Sequence, residues 1–222
     1  MVMLSTVPAT PVRWTAPEGD WTEPDLHLFP QDGHRYEIVD GCLHVAPPAP
    51  RWHDDLVGAV VTTLRSAAPP GWWVCDRLGV AINEGTGRAS NLVPDVTVLR
   101  PRSSGATWSD PADVALVVEI ETEATRRYDE VLKPALYAEA GIRGYWRVQP
   151  GPIQPGPIQP GPIQPGALQP GPVPPGPVER GPVLHVYELE AGRFRLHGCV
   201  EGAEQIRLDA PYPVRLTPNA WR

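Results

Sequence analysis

Apolar positions along this chain change their period several times, and each change marks an element. Runs at Tyr36–Val39 and Cys42–Val45, joined at Asp40-Gly41, predict a β-hairpin, since Asp-Gly takes up the positive φ angles of a tight turn. Between Trp52 and Ala67, Leu56, Val60, Val61 and Leu64 recur at the spacing of a core-facing helix, which Pro69-Pro70-Gly71 ends. Trp72–Cys75 through Val80–Ile82 read as a strand or bent strand pair, and Asn83–Asn91 as a turn. Leu92–Leu99 is a β-branched run with Asp95 directly behind Pro94. A loop from Pro101 to Ala112 carries Trp108 and forms a rim over whatever site lies beneath. Ala115–Glu121 reads as a buried strand whose apolar run ends in acid. In the stretch from Asp129 to Gly141, Leu132, Leu136 and Ala140 make one helical stripe with Gly141 as its stop, and Pro134 places the helix start close to Lys133. Tyr145–Val148 is the next strand.

This strand, helix, strand succession predicts an α/β fold with a right-handed crossover. After it, a Pro-Gly-Pro-Ile-Gln unit starts at Pro150, Pro155 and Pro160 and then degrades towards Val178. A period of five excludes the collagen helix, which needs glycine at every third position. The tract has too little apolar surface for a core, and we expect a disordered, polyproline-like excursion between two strands. A docking tract for a proline-binding partner is the rival reading. Val183–Leu189 and Arg193–His197 alternate as an antiparallel hairpin, and Val200–Arg222, with its prolines, reads as a wrapping tail. The expected division is a tail over 1–20, a core over 21–149, the Pro-Gly insert over 150–182, and a hairpin and tail over 183–222 that complete the same domain.

Composition narrows the function. With 222 residues one domain is the better prior, and the net charge of −7 argues against broad attraction to nucleic acid or anionic membrane. Local arginine clefts can still be basic on an acidic protein. Cys42, Cys75 and Cys199 lie far apart in no ligand-like spacing, so neither a disulfide framework nor a zinc site is expected. No leader or run of about 18 apolar residues occurs, and a cytoplasmic protein without a membrane partner is expected.

Three residues stand out chemically. Asp95 and Glu119 sit on neighbouring apolar strands, where an acid is costly unless a charged group pairs with it. Lys133 is the only lysine of the chain, stacked at intervals of four with Asp129 and Tyr137. On spacing alone these could equally be strand-end acids in solvent and a helix-surface ion pair. Glu37 reads most simply as a solvent-facing hairpin residue, and His53, with Asp54 and Asp55 in the first turn of its helix, as a packing or capping residue.

The segments Arg35-Tyr36-Glu37-Ile38-Val39-Asp40-Gly41, His53 opening a helix, Pro94-Asp95, Val118-Glu119-Ile120, Asp129 with Lys133 and Tyr137, and Gly141-Ile142-Arg143-Gly144-Tyr145-Trp146 together resemble the Uma-type restriction endonuclease family. That family lies within the PD-(D/E)XK nuclease superfamily. The likeness covers roughly residues 20 to 148, more weakly beyond the repeat. It implies a restriction-endonuclease-like fold: a mixed central sheet flanked by helices, with the C-terminal hairpin added. It also implies a Mg²⁺ or Mn²⁺ ion held by Asp95, Glu119 and the Ile120 carbonyl, Lys133 as the catalytic lysine, Glu37 as an accessory site residue and His53 as a secondary candidate. DNA is the implied substrate, and a homodimer is an open option.

The chain departs from the pattern in two places. The family's serine-containing segment after the strand acid reads Glu121-Thr122-Glu123-Ala124-Thr125 here, which leaves the metal stoichiometry open. The usual superfamily lysine stands two residues after that acid, where this chain has Glu121; the lysine has moved to the following helix. The function expected is therefore metal-dependent phosphodiester hydrolysis. A catalytically degenerate fold that binds nucleic acid or protein is the alternative, and a two-carboxylate glycosidase a third reading.

Overall fold

In the computed structural model, residues 17–82, 88–103, 107–151 and 181–221 are described. A one-turn helix α1 (Glu23–Leu26) leads into the hairpin of β1 (Arg35–Val39) and β2 (Cys42–Ala46). Its turn is built as the dipeptide predicts, with Asp40 at φ 48° and Gly41 at φ 72°. Helix α2 (Arg51–Ala67) follows, then β3 (Trp73–Asp76), β4 (Gly79–Ile82), β5 (Ser90–Leu92), β6 (Val96–Leu99), the short β7 (Trp108–Ser109) and β8 (Val114–Ile120). A wide π-type turn over Tyr128–Leu132 runs into α3 (Lys133–Glu139), which ends at Gly141 with φ 77°. The chain closes with β9 (Gly144–Gln149), β10 (Val183–Glu190), β11 (Arg193–Glu201), β12 (Ile206–Leu208), β13 (Val214–Leu216) and a final 3₁₀ turn over Pro218–Trp221.

A mixed six-stranded sheet in the order β11-β10-β9-β8-β6-β3 is the centre of the molecule. Its β8 and β9 run parallel, joined through α3, while β6 pairs antiparallel to β8. Both faces of β8 are covered, which is why its sequence is a continuous apolar run rather than an alternation. Leu116, Val118 and Ile120 face α2 and its stripe of Leu56, Val60 and Leu64. Val117 faces the other way, towards Leu136 and Tyr137 of α3. Strand parity then puts Glu119 on that second face, beneath α3.

Three sequence expectations change. The run from Trp72 to Ile82 divides between sheets: at Arg77, with φ 50°, the chain leaves β3 in the central sheet and enters β4 in a second, five-stranded sheet ordered β2-β1-β5-β4-β7. Ser90 and Asn91, expected in a turn, form β5, where Asn91 pairs with both Ile38 and Ala81. The C-terminal segment, expected as a wrapping tail, does wrap the core but carries a hairpin of its own. Its β12–β13 hairpin and Trp221 pack on α2, with Tyr212 donating to the Leu64 carbonyl at 2.9 Å and the Trp221 indole to the Thr63 hydroxyl at 3.1 Å. Proline-rich composition concealed the large buried side chains there, Leu208, Tyr212, Val214, Leu216 and Trp221.

Residues 1–16 of the expected tail and 152–180 of the Pro-Gly insert lie outside the described residues. The ends of the insert are fixed, since Gln149 and Val183 are ladder partners in the antiparallel β9–β10 pair. A short turn can therefore replace 152–180. We expect that deletion to keep a single cooperative thermal transition within a few degrees of the parent; a broad or lost transition would show that the repeat contributes to the core. No helix among the described residues is long and apolar enough to cross a membrane.

Candidate active site

Asp95 is placed by Pro94 just before β6, and both of its carboxylate oxygens are engaged. Oδ2 accepts the Ile120 backbone N–H at 2.8 Å and lies 3.2 Å from Nε2 of His53, in the first turn of α2. Oδ1 is paired with the guanidinium of Arg35. Arg35 precedes Glu37 by two on β1, so both project from one face of that strand. The arginine also donates to the Val93 carbonyl at 3.2 Å and reaches within 3.9 Å of Glu119 Oε2.

Behind the arginine lies the Glu119–Lys133 pair. Lys133 Nζ is 3.1 Å from Glu119 Oε1, 3.1 Å from Glu37 Oε1 and 3.8 Å from Asp129 Oδ1. One helical turn further on, the Tyr137 hydroxyl donates to the same Glu119 oxygen at 2.8 Å. The same Glu37 oxygen accepts the Val93 N–H at 2.7 Å. The stack of Asp129, Lys133 and Tyr137 is thus turned inward, and its lysine is buried rather than surface-paired. Glu37 is buried as well, which displaces the solvent-facing reading of that hairpin position.

Charge in this cluster is unbalanced. Among the described residues, the carboxylates of Glu37, Asp95, Glu119 and Asp129 face two permanent cations, Arg35 and Lys133, with the imidazole of His53 beside Asp95. Burial pushes the Glu119 carboxyl up to about 8, against the pull of Lys133 and with a further push from Asp129 and Asp95. Asp129 is raised for the same first reason, burial, with Lys133 opposing. Burial acts upward on Asp95 too, but Arg35, His53 and the Ile120 N–H outweigh it and hold the carboxyl well below the usual range. For Lys133, burial works to lower the pKa, but Glu119, Glu37 and Asp129 outweigh it, and the ammonium is held above the ordinary lysine range.

Asp95, Arg35, His53 and Ile120 open onto a cleft of about 980 Å³, whose walls include Tyr36, Trp52 and the expected rim residue Trp108. Glu119, Glu37 and Lys133 do not line it. Hard oxygen ligands suit a divalent cation of the Mg²⁺ type. Glu119 Oε2 is buried and has no hydrogen-bond partner, while Oε1 takes both donors. An orphaned carboxylate oxygen together with an excess of acid fits such a cation. Among the described residues no three Asp, Glu, His or Cys side chains group as a ready metal shell, because Arg35 stands between the two acids.

The structure thus brings together all the side chains singled out in the sequence: Asp95, Glu119, Lys133, Glu37 and the secondary candidate His53. Arg35 and Tyr137 were missed as participants, although the strand and helix periods that place Glu37 and Lys133 place them too. Glu121, at the usual lysine position, is buried and ion-paired instead with Arg147 at 2.9 Å.

A mixed sheet carrying an acid before one strand, an acid on its neighbour and a buried lysine on the next helix defines a protein of the restriction-endonuclease-like class. The Uma2 family model, described as "Putative restriction endonuclease", matches residues 23–218, and the chain belongs to that family. No curated protein sequence matches it. A crystal structure described as a putative nuclease belonging to DUF820 from Anabaena variabilis is similar at 14% identity, with a TM-score of 0.49, covering 85% of this chain and 88% of that one.

Proposed function

We propose that the protein is a divalent-metal-dependent endonuclease that hydrolyses phosphodiester bonds of DNA. The observation that carries the reading is the junction of Asp95 and Glu119, with the only lysine of the chain buried 3.1 Å from Glu119. A Mg²⁺ or Mn²⁺ ion held by Asp95, Glu119 and the Ile120 carbonyl would supply an activated water and Lewis-acid relief of phosphate charge.

The remaining roles fall to the chain's own residues. Lys133 and Tyr137 both donate to Glu119 Oε1, which fixes that carboxylate and leaves Oε2 without a hydrogen bond, with Arg35 Nη1 3.9 Å away. With its pKa held above the ordinary range, Lys133 is a permanent cation, so its role is to offset developing negative charge rather than to accept a proton. Glu37 anchors the lysine, and His53 with the Ile120 N–H orients Asp95. The cleft beside Asp95 is where the phosphodiester would enter.

A second reading has its own support. Arg35 bridges both acids and the chain carries a net charge of −7, as a degenerate fold acting only as a binding module would. Purified protein incubated with supercoiled DNA separates the two. The nuclease reading expects nicking that requires Mg²⁺ or Mn²⁺ and falls at least about 10²-fold in Asp95→Ala. Folded wild-type protein that leaves the DNA intact with either ion would favour the binding module.

A further inference from the structure

Arg35 belongs to none of the assigned roles, yet it lines the cleft and reaches from there to both acids, of which Asp95 lines the cleft and Glu119 does not. Its side chain is 15% exposed, against 2% for Asp95 and 1% for Glu119, and it touches both. Two of its nitrogens are committed to the pair, and Nη1 also bonds the Val93 carbonyl. A divalent ion on Asp95 and Glu119 would lie within a few ångströms of this guanidinium, where repulsion between like charges is large in a buried setting. Both cations cannot hold the same oxygens.

We propose that Arg35 is the resident counter-cation of the acid pair, and that a divalent ion reaches Asp95 and Glu119 only by displacing its guanidinium towards the cleft. The inference rests on the metal-dependent reading above. Arginine is suited to the task because it stays charged under all ordinary conditions and its fork can span two carboxylates. In the metal-free protein it neutralises acids that would otherwise repel across the β6–β8 junction. Metal affinity is lowered accordingly, since ions bind only the fraction of molecules in which the arginine has left. Once displaced, the guanidinium lies in the cleft, where a phosphodiester would hold it away from the acids. Nucleic acid and metal would thereby favour each other's binding.

Mn²⁺ binding, followed by calorimetry on the whole 222-residue chain without DNA, tests this directly. Arg35→Gln keeps a donor for the Val93 carbonyl but removes the charge. It should bind Mn²⁺ at least about tenfold more tightly than wild type while its metal-free Tm falls. An unchanged or weaker affinity overturns the proposal. Wild-type protein gives an independent readout: the Arg35 guanidinium resonances should shift as Mg²⁺ saturates the site, and resonances that stay fixed also overturn it. Asp95→Asn separates this failure from that of the metal reading. Mn²⁺ uptake that Asp95→Asn abolishes but Arg35→Gln does not tighten sinks only the role of Arg35. Absence of uptake in wild type and Arg35→Gln alike sinks both.

Discussion

Lys133→Met should destabilise the protein by about 3–5 kcal/mol, the cost of removing one partner from a buried ion pair, and should lower DNA cleavage by more than about 10²-fold. The lysine is 3% exposed and its ammonium is the nearest cation to Glu119, Glu37 and Asp129 together. Methionine keeps much of the volume but leaves those acids facing one another. The double variant Lys133→Met with Glu119→Gln replaces the most deeply buried of the stranded carboxyl groups with an amide that cannot ionise. We expect it to recover a large part of the lost stability, a coupling within the roughly 0.5–3 kcal/mol range of contacting residues, and to recover no cleavage. Lys133→Arg is a second probe. An exposed pair would tolerate it within about 0.5 kcal/mol, whereas a guanidinium forced into this closed pocket should cost about 1–3 kcal/mol by overpacking. Urea unfolding read beside supercoiled-DNA cleavage checks all three, and a stable, fully active Lys133→Met would remove the lysine from both roles.

How far the sequence reveals this site depends on which physical signal each residue carries. Asp95 and Glu119 were legible because acids interrupt apolar strands, an expense that solvent alone does not relieve. Lys133 was legible as the only lysine at helical spacing from two other polar residues. Glu37 was not legible from the hairpin pattern, because what covers its face is the Val93 segment and α3, both distant in sequence. Arg35 shares that face by strand parity, yet an arginine at a strand start usually reads as solvent-exposed, and only the folded arrangement shows it between two acids. The same limit hid the second sheet. Its strands β5 and β7 have three and two residues, too few for alternation to register, and β5 contributes Ser90 and Asn91, whose burial depends on pairing rather than hydrophobicity.

In the absence of divalent ions, thermal stability should decline as pH rises from about 5 to about 8. Glu119 sets the sign. Its folded pKa, about 8, lies above the ordinary 4.5, so between those values the folded state holds a proton that the unfolded state has released. Stability from this group is fully present below the unfolded value and is lost as pH climbs through the folded one. Asp129 and Glu121, both raised chiefly by burial, act in the same direction. His185, lowered by burial and by Arg147, acts oppositely below its ordinary 6.5, but it is only partly buried and should offset little. Asp95 behaves in reverse: with its folded pKa depressed, its contribution is present above 3.8 and disappears only in strong acid. The balance places the metal-free optimum on the acid side of neutrality. Replacing the carboxyl with an amide in Glu119→Gln should flatten the alkaline decline, since the group that releases its proton is gone. Melting temperatures measured from pH 5 to pH 9 for both proteins test this; a wild-type Tm that rises across that interval, or an equal slope in Glu119→Gln, would show that Glu119 is already ionised in the folded protein.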